Sequence, residues 1–151
     1  MKRIFFLFLI FTSFFFSKAQ GIRFDKSSSW SVIKEKAKSE NKYILMICQI
    51  TTCASSRKMK RDVFTNNNLG QFVNEKFISI DVQFDKSPLD NNYTKRWYND
   101  AAQIQKYYQI QDFPTFLIIT PKGYLERKFV GYMSASEFMA KIKNIVAKKK
   151  A

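Results

Sequence analysis

No histidine occurs in this chain. That absence removes Cys-His and Ser-His catalysis, zinc fingers and zincin-type sites at once, because each requires an imidazole. Cysteine is scarce as well: Cys48 and Cys53 are the only two in 151 residues, too few for a disulfide-stapled scaffold. Glycine is limited to four residues, and none sits in a glycine-rich phosphate loop. Acids are outnumbered, 12 against 26 lysines and arginines, for a formal charge of +14. Such a balance favours acidic partners or anionic surfaces. The lysines are nevertheless dispersed, with one short cluster at Lys148-Lys149-Lys150, and no nucleic-acid motif accompanies them. Solvated helix faces account for them, and no nucleic-acid partner is expected. Asp81, Asp85 and Asp90 lack the glycine and terminal glutamate of a calcium loop. Nothing in the residues calls for a metal or a cofactor.

The segment MKRIFFLFLIFTSFFFSKAQ stands apart in composition. Lys2 and Arg3 form a positive start, Ile4 to Phe16 an apolar run interrupted only by Thr12 and Ser13, and Ser17-Lys18-Ala19 a small-x-small site before Gln20. This pattern is that of a secretory signal peptide over residues 1–19, cleaved after Ala19. The apolar run is shorter than the roughly 20 residues a membrane-spanning helix needs. Membrane contact is therefore expected only transiently, through the signal peptide, and residues 20–151 are expected to form one exported domain, periplasmic or secreted. Such compartments allow disulfides to persist, and an exposed lone thiol there invites oxidation.

Beyond the leader, the chain alternates strand-like and helix-like segments. Ile22 to Asp25 reads as a short strand, and Ser27 to Ser29 offer caps for a helix with Trp30, Ile33 and Ala37 on one face. Tyr43 to Ile50, YILMICQI, is nearly continuous in apolar residues and predicts a strand buried on both sides. From Cys53 a helical pattern returns, with Met59 and Val63 four apart, followed by a second helical piece with Leu69, Phe72 and Val73 inward. Phe77 to Phe84 alternates with period two, predicting a strand. Asp85 to Trp97 shows no periodicity and reads as a loop whose aromatics pack over the core. A helix over NDAAQIQKYYQI follows, then a β-hairpin of PTFLIIT and YLERKFVGY turning at Pro121-Lys122-Gly123, and a helix from Ser134 to Lys148. This order predicts an α/β layer fold.

Cys53 is placed for chemistry. A thiol at a helix N-terminus faces unpaired backbone N–H groups and the positive end of the helix dipole, which favours thiolate, and Arg57 and Lys58 one turn on add to that field. The bland alternative is a buried, inert half-cysteine. Cys48 reads as a small apolar core residue inside the strand, or else as the partner of Cys53 in a disulfide if their Cα atoms lie within about 7 Å.

The segments TCASSRKMKRDVF and DFPTF, with the helix-ending YYQI before the second, resemble the thioredoxin superfamily, in particular an exported branch with a WCxxCKKM-like site. The resemblance spans roughly Ser29 to Val146. It implies a thioredoxin-like fold with a central mixed β-sheet flanked by helices, and a cis-proline at Pro114 beside Cys53. This chain carries a CxxS variant, Cys53-Ala54-Ser55-Ser56: Ser56 replaces the resolving cysteine, Thr52 the tryptophan, Ala54-Ser55 the Gly-Pro pair, and Ile47 a buried acid. By that likeness Cys53 and Ser56 are the catalytic pair, and Thr52, Phe113 and Pro114 form the substrate groove, in which an extended client can add as a strand. The implied partners are client polypeptides bearing thiols or disulfides, with a redox partner protein or a small thiol for release. A single thiol supports isomerisation or monothiol exchange. A non-catalytic, chaperone-like binding protein with Cys53 incidental is the other function the residues allow.

Overall fold

The computed structural model describes residues 21–26 and 29–147; the predicted signal peptide lies outside them. The first helix, α1 (Trp30–Ser39), starts where Ser29 in extended backbone accepts from the Val32 N–H. It stops at Asn41, whose φ of 51° is a left-handed conformation that asparagine tolerates. Ile33 and Ala37 are its buried stripe.

Strand β1 (Tyr43–Gln49) is buried at every position, as its unbroken apolar run predicts. Its alternating side chains serve two cores. Tyr43, Leu45 and Ile47 join one cluster with Met59, Val63, Leu69, Phe116, Phe138 and Ile142. Ile44, Met46 and Cys48 join the other with Ile33, Ala37, Ala101, Ile104 and Leu117. Each fully buried aliphatic side chain contributes about 1.5–3 kcal/mol to this arrangement.

After β1 come α2 (Ala54–Lys58), which runs directly into a π turn at Met59–Val63, then α3 (Asn67–Lys76) and β2 (Phe77–Gln83). The elements α4 (Asn92–Arg96), α5 (Tyr98–Tyr107), β3 (Thr115–Ile119), β4 (Leu125–Val130) and α6 (Ala135–Ala147) complete the chain. The sheet order is β2-β1-β3-β4, with β1 parallel to β2 and antiparallel to β3. This is the thioredoxin-like α/β fold, a mixed four-stranded sheet between helices. The β3–β4 connection turns at Gly123, whose φ of 88° suits a residue without a side chain.

Two expectations need correction. The expected loop over 85–97 contains the one-and-a-half-turn α4, formed because Asn91 accepts from the Thr94 N–H at 2.9 Å and Trp97 anchors its end in the core, 3 % exposed. The expected strand Ile22–Asp25 is reduced to one parallel bridge, Phe24 with Ser79, because this arm is fastened at several other points. Ile22 N–H donates to the Phe64 carbonyl at 2.7 Å, and Asn74 holds both the Arg23 N–H and the Gly21 carbonyl. The arm thereby covers one edge of the sheet and leaves β4 as the other.

Candidate functional site

The site forms where β1 ends. The turn after it is clamped from two sides: Thr51 gives its N–H and its hydroxyl to Asp85 beyond β2, and Arg57 donates to the Thr51 carbonyl at 2.9 Å. Cys53 follows as the cap of α2, with extended φ/ψ of −74° and 113°. Its sulfur accepts the Ser56 N–H at 3.4 Å, as a serine oxygen would in an ordinary helix cap. Its S–H donates to the Phe113 carbonyl at 3.3 Å. The Phe113-Pro114 peptide is cis, so the loop expected beside the cysteine is in contact with it.

Electrostatics at Cys53 are a contest. Partial burial opposes ionisation, but the Ser56 side chain, the Ser56 and Ser55 N–H groups and the Arg57 charge together outweigh it and hold the thiol below its ordinary pKa. Ser56 is buried, and its hydroxyl has no hydrogen-bond partner other than the neighbouring sulfur it can serve. It is thus a spare donor for a thiolate at Cys53.

Cys48 behaves in the opposite way. It is fully buried in the α1/α5 core, where burial pushes its thiol up. Both cysteines are free, which removes the Cys48–Cys53 disulfide. Burial, which Lys128 does not offset, makes Cys48 a packing residue.

The other sequence-predicted residues fall around Cys53. Thr52 is exposed next to it, Phe113 is half-buried with its ring 5.7 Å from that of Phe84, and Pro114 is buried. The Pro114 carbonyl accepts the Gly131 N–H at 2.8 Å. Gly131, at φ 88°, turns the chain out of β4 so that Tyr132 stands exposed near α2, where the Lys58 ammonium lies 4.2 Å above its ring. This Tyr132–Lys58 wall and the Thr51–Asp85 clamp had no signal in the sequence, since each joins residues far apart in the chain.

Beneath the site, Ile47 is paired in register with Asp81 of β2. Asp81 is drawn to Lys60 of the π turn at 2.9 Å, with one carboxylate oxygen left without a hydrogen bond. Burial raises its carboxyl pKa, and Lys60 only partly offsets this. An acid thus lies on the neighbouring strand, in register with the apolar Ile47.

A mixed sheet between helices, with a cysteine capping a helix opposite a cis-proline loop, defines a thioredoxin-fold protein. A family model described as a thioredoxin-like domain matches residues 31–145, and the chain belongs to that family. No curated protein matches the sequence. Solved structures similar in fold include the DsbH oxidoreductase, at 15 % identity over 86 % of this chain and 88 % of that one, TM-score 0.69. A candidate disulphide-isomerase from Bacteroides thetaiotaomicron is 23 % identical over 86 % and 97 %, TM-score 0.67. The oxidised C-terminal domain of DsbD from Neisseria meningitidis is 17 % identical over 82 % and 97 %, TM-score 0.59. At these identities the likeness is one of fold.

Proposed function

We propose that this chain is an exported monothiol protein that acts on the disulfides of client polypeptides through Cys53. One observation carries the reading: the Cys53 thiol, whose S–H donates to the Phe113 carbonyl at 3.3 Å, sits against the cis-proline loop. The nucleophile and the edge against which a client strand would lie are thus adjacent. Oxidoreductase and disulphide-isomerase are also the activities named for proteins that share this fold. Export is read from residues 1–19, which have the composition of a signal peptide.

In the proposed reaction the Cys53 thiolate attacks one sulfur of a client disulfide. A mixed disulfide forms and the second client sulfur leaves as thiolate, so the oxidation state is conserved. Ser56 supplies its N–H and hydroxyl to the attacking sulfur, Pro114 shapes the groove, and Thr52 and Phe113 contact the client. Ser56 cannot resolve the adduct. Attack by another client thiol on the client sulfur of the mixed disulfide completes an isomerisation, whereas reduction takes two thiol equivalents: the first attacks the Cys53 sulfur and frees the reduced client, and the second, from a small thiol or a redox partner protein, breaks that new mixed disulfide and releases Cys53. That missing thiol also favours the second reading, in which the groove binds clients and Cys53 is incidental.

Refolding of a scrambled disulfide protein separates the two. Wild type is expected to accelerate native pairing and Cys53→Ala to lose the effect. Equal, negligible rates for both leave only the binding reading.

A further inference from the structure

The walls of the site differ in charge. Arg57 and Lys58 leave α2 within two turns of Cys53, and among the described residues neither is ion-paired to a carboxylate. Arg57 is held on the Thr51 carbonyl, and Lys58 on the face of Tyr132 at 4.2 Å. Both anchors leave the positive charge uncancelled, and both side chains are exposed. Neighbouring Lys60 and Arg61, by contrast, are neutralised by Asp81 and Asp62. Two acids border the same loops. Asp85 has its carboxylate engaged by Thr51, and Asp112 lies two residues before Pro114. Neither forms an ion pair with the two cations.

Position matters more than count here. A free lysine sweeps a wide volume, whereas a cation drawn to an aromatic face is biased toward that side of the groove. Tyr132 is itself placed by Gly131, whose N–H is bonded to Pro114, so the ammonium is tied to the frame of the cis-proline loop.

We propose that this fixed cationic wall makes the Cys53 site selective for disulfides that carry negative charge close to the S–S bond, such as those flanked by carboxylates in acidic client segments. The proposal rests on the reading of Cys53 as the nucleophile. The step is simple exchange: the Cys53 thiolate displaces one sulfur, the Cys53–substrate bond replaces the substrate S–S bond, and the displaced thiolate leaves. The Arg57 and Lys58 charges interact with the substrate's charge as it approaches, which makes the preference sensitive to salt.

The test uses three aliphatic disulfides of similar chemistry: 3,3′-dithiodipropionate, which is anionic; 2-hydroxyethyl disulfide, which is neutral; and cystamine, which is cationic. Mixed-disulfide formation at Cys53 is followed by mass after acid quenching, and each rate is divided by that of a small free thiol with the same reagent. At low ionic strength the normalised anionic rate is expected to exceed the cationic rate about tenfold, and the ratio to shrink toward one in about 0.5 M salt. Lys58→Gln is expected to lower the ratio about threefold. Tyr132→Ala should lower it as well, although it removes no charge, because Lys58 is then released. Lys106→Gln, which removes the same charge from α5, should leave the ratio unchanged. Equal normalised rates for all three reagents, or equal effects of Lys58→Gln and Lys106→Gln, overturn the charge selectivity while the monothiol reading stands. Absence of any Cys53 adduct with all three reagents overturns both.

Discussion

Ser56 points its N–H at the sulfur of Cys53 across 3.4 Å, and its buried hydroxyl, with no other partner, favours the thiolate as well. A serine at this place cannot exchange disulfides, but it can hold charge. Under the proposed function the pair would separate two duties that a dithiol site combines, activation of the nucleophile and release of its product.

Alkylation of Cys53 by iodoacetamide as a function of pH should give a midpoint below that of an ordinary cysteine. The sign follows from the groups around it: Ser56, Ser55 and Arg57 favour the thiolate more than partial burial opposes it. Reactivity is thus expected to persist below the usual thiol range and to fall as pH drops through the lowered midpoint. Ser56→Ala and Arg57→Gln should each move the midpoint upward. A midpoint unmoved by both would exclude this account of the site.

Cys48 should be silent in the folded protein. It is 0 % exposed, and burial raises its thiol. A thiol titration of the native chain should count one fast group, absent from Cys53→Ala, and a titration in denaturant should count both. Two fast native thiols would contradict the packing described for β1.

Asp81→Asn should stabilise the protein at neutral pH. Burial raises the Asp81 carboxyl above its unfolded value despite Lys60. A raised carboxyl leaves stability intact below the unfolded pKa, where the group is protonated in both states, and removes stability as pH rises through the folded pKa. The amide escapes that loss. Thermal unfolding should show a higher Tm for the variant at pH 7 and a difference that vanishes below about pH 4. An equal gain at both pH values would assign the effect to something other than ionisation.

Gly21→Ala should undock the N-terminal arm. A Cβ built on Gly21 would lie 2.0 Å from the Phe64 carbonyl oxygen and 2.7 Å from the Thr65 Cα, both main-chain atoms that cannot swing aside. The expected cost is about 1–3 kcal/mol. Hydrogen exchange at the Ile22 N–H, bonded to that same carbonyl at 2.7 Å, should quicken with it.

Much of this architecture is legible because its signals are local. YILMICQI announces a doubly buried strand without reference to any other segment, and Pro121-Lys122-Gly123 announces the hairpin. Cys53, Ser56 and Pro114 are visible for the same reason, each lying in a short motif. By contrast, α4 has no apolar stripe, and its cap at Asn91 is hidden in a run of polar residues. The Thr51–Asp85 clamp joins residues 34 apart, and the Lys58–Tyr132 wall joins two surface residues on separate elements. Such pairs depend on how the elements dock, which no single stretch of sequence encodes.

The π turn at Met59–Val63 lengthens the hydrogen-bonded loop of the helix behind Cys53 by one residue, from the i to i+4 bond of an α-helix to i to i+5. Its closing bond, from the Phe64 N–H to the Met59 carbonyl, spans five residues. The chain thus carries slack of one residue between its reactive end and its anchorage at Phe64. A single deletion among Lys60, Arg61 and Asp62 is therefore expected to draw this stretch into a regular α-helix with both ends in place.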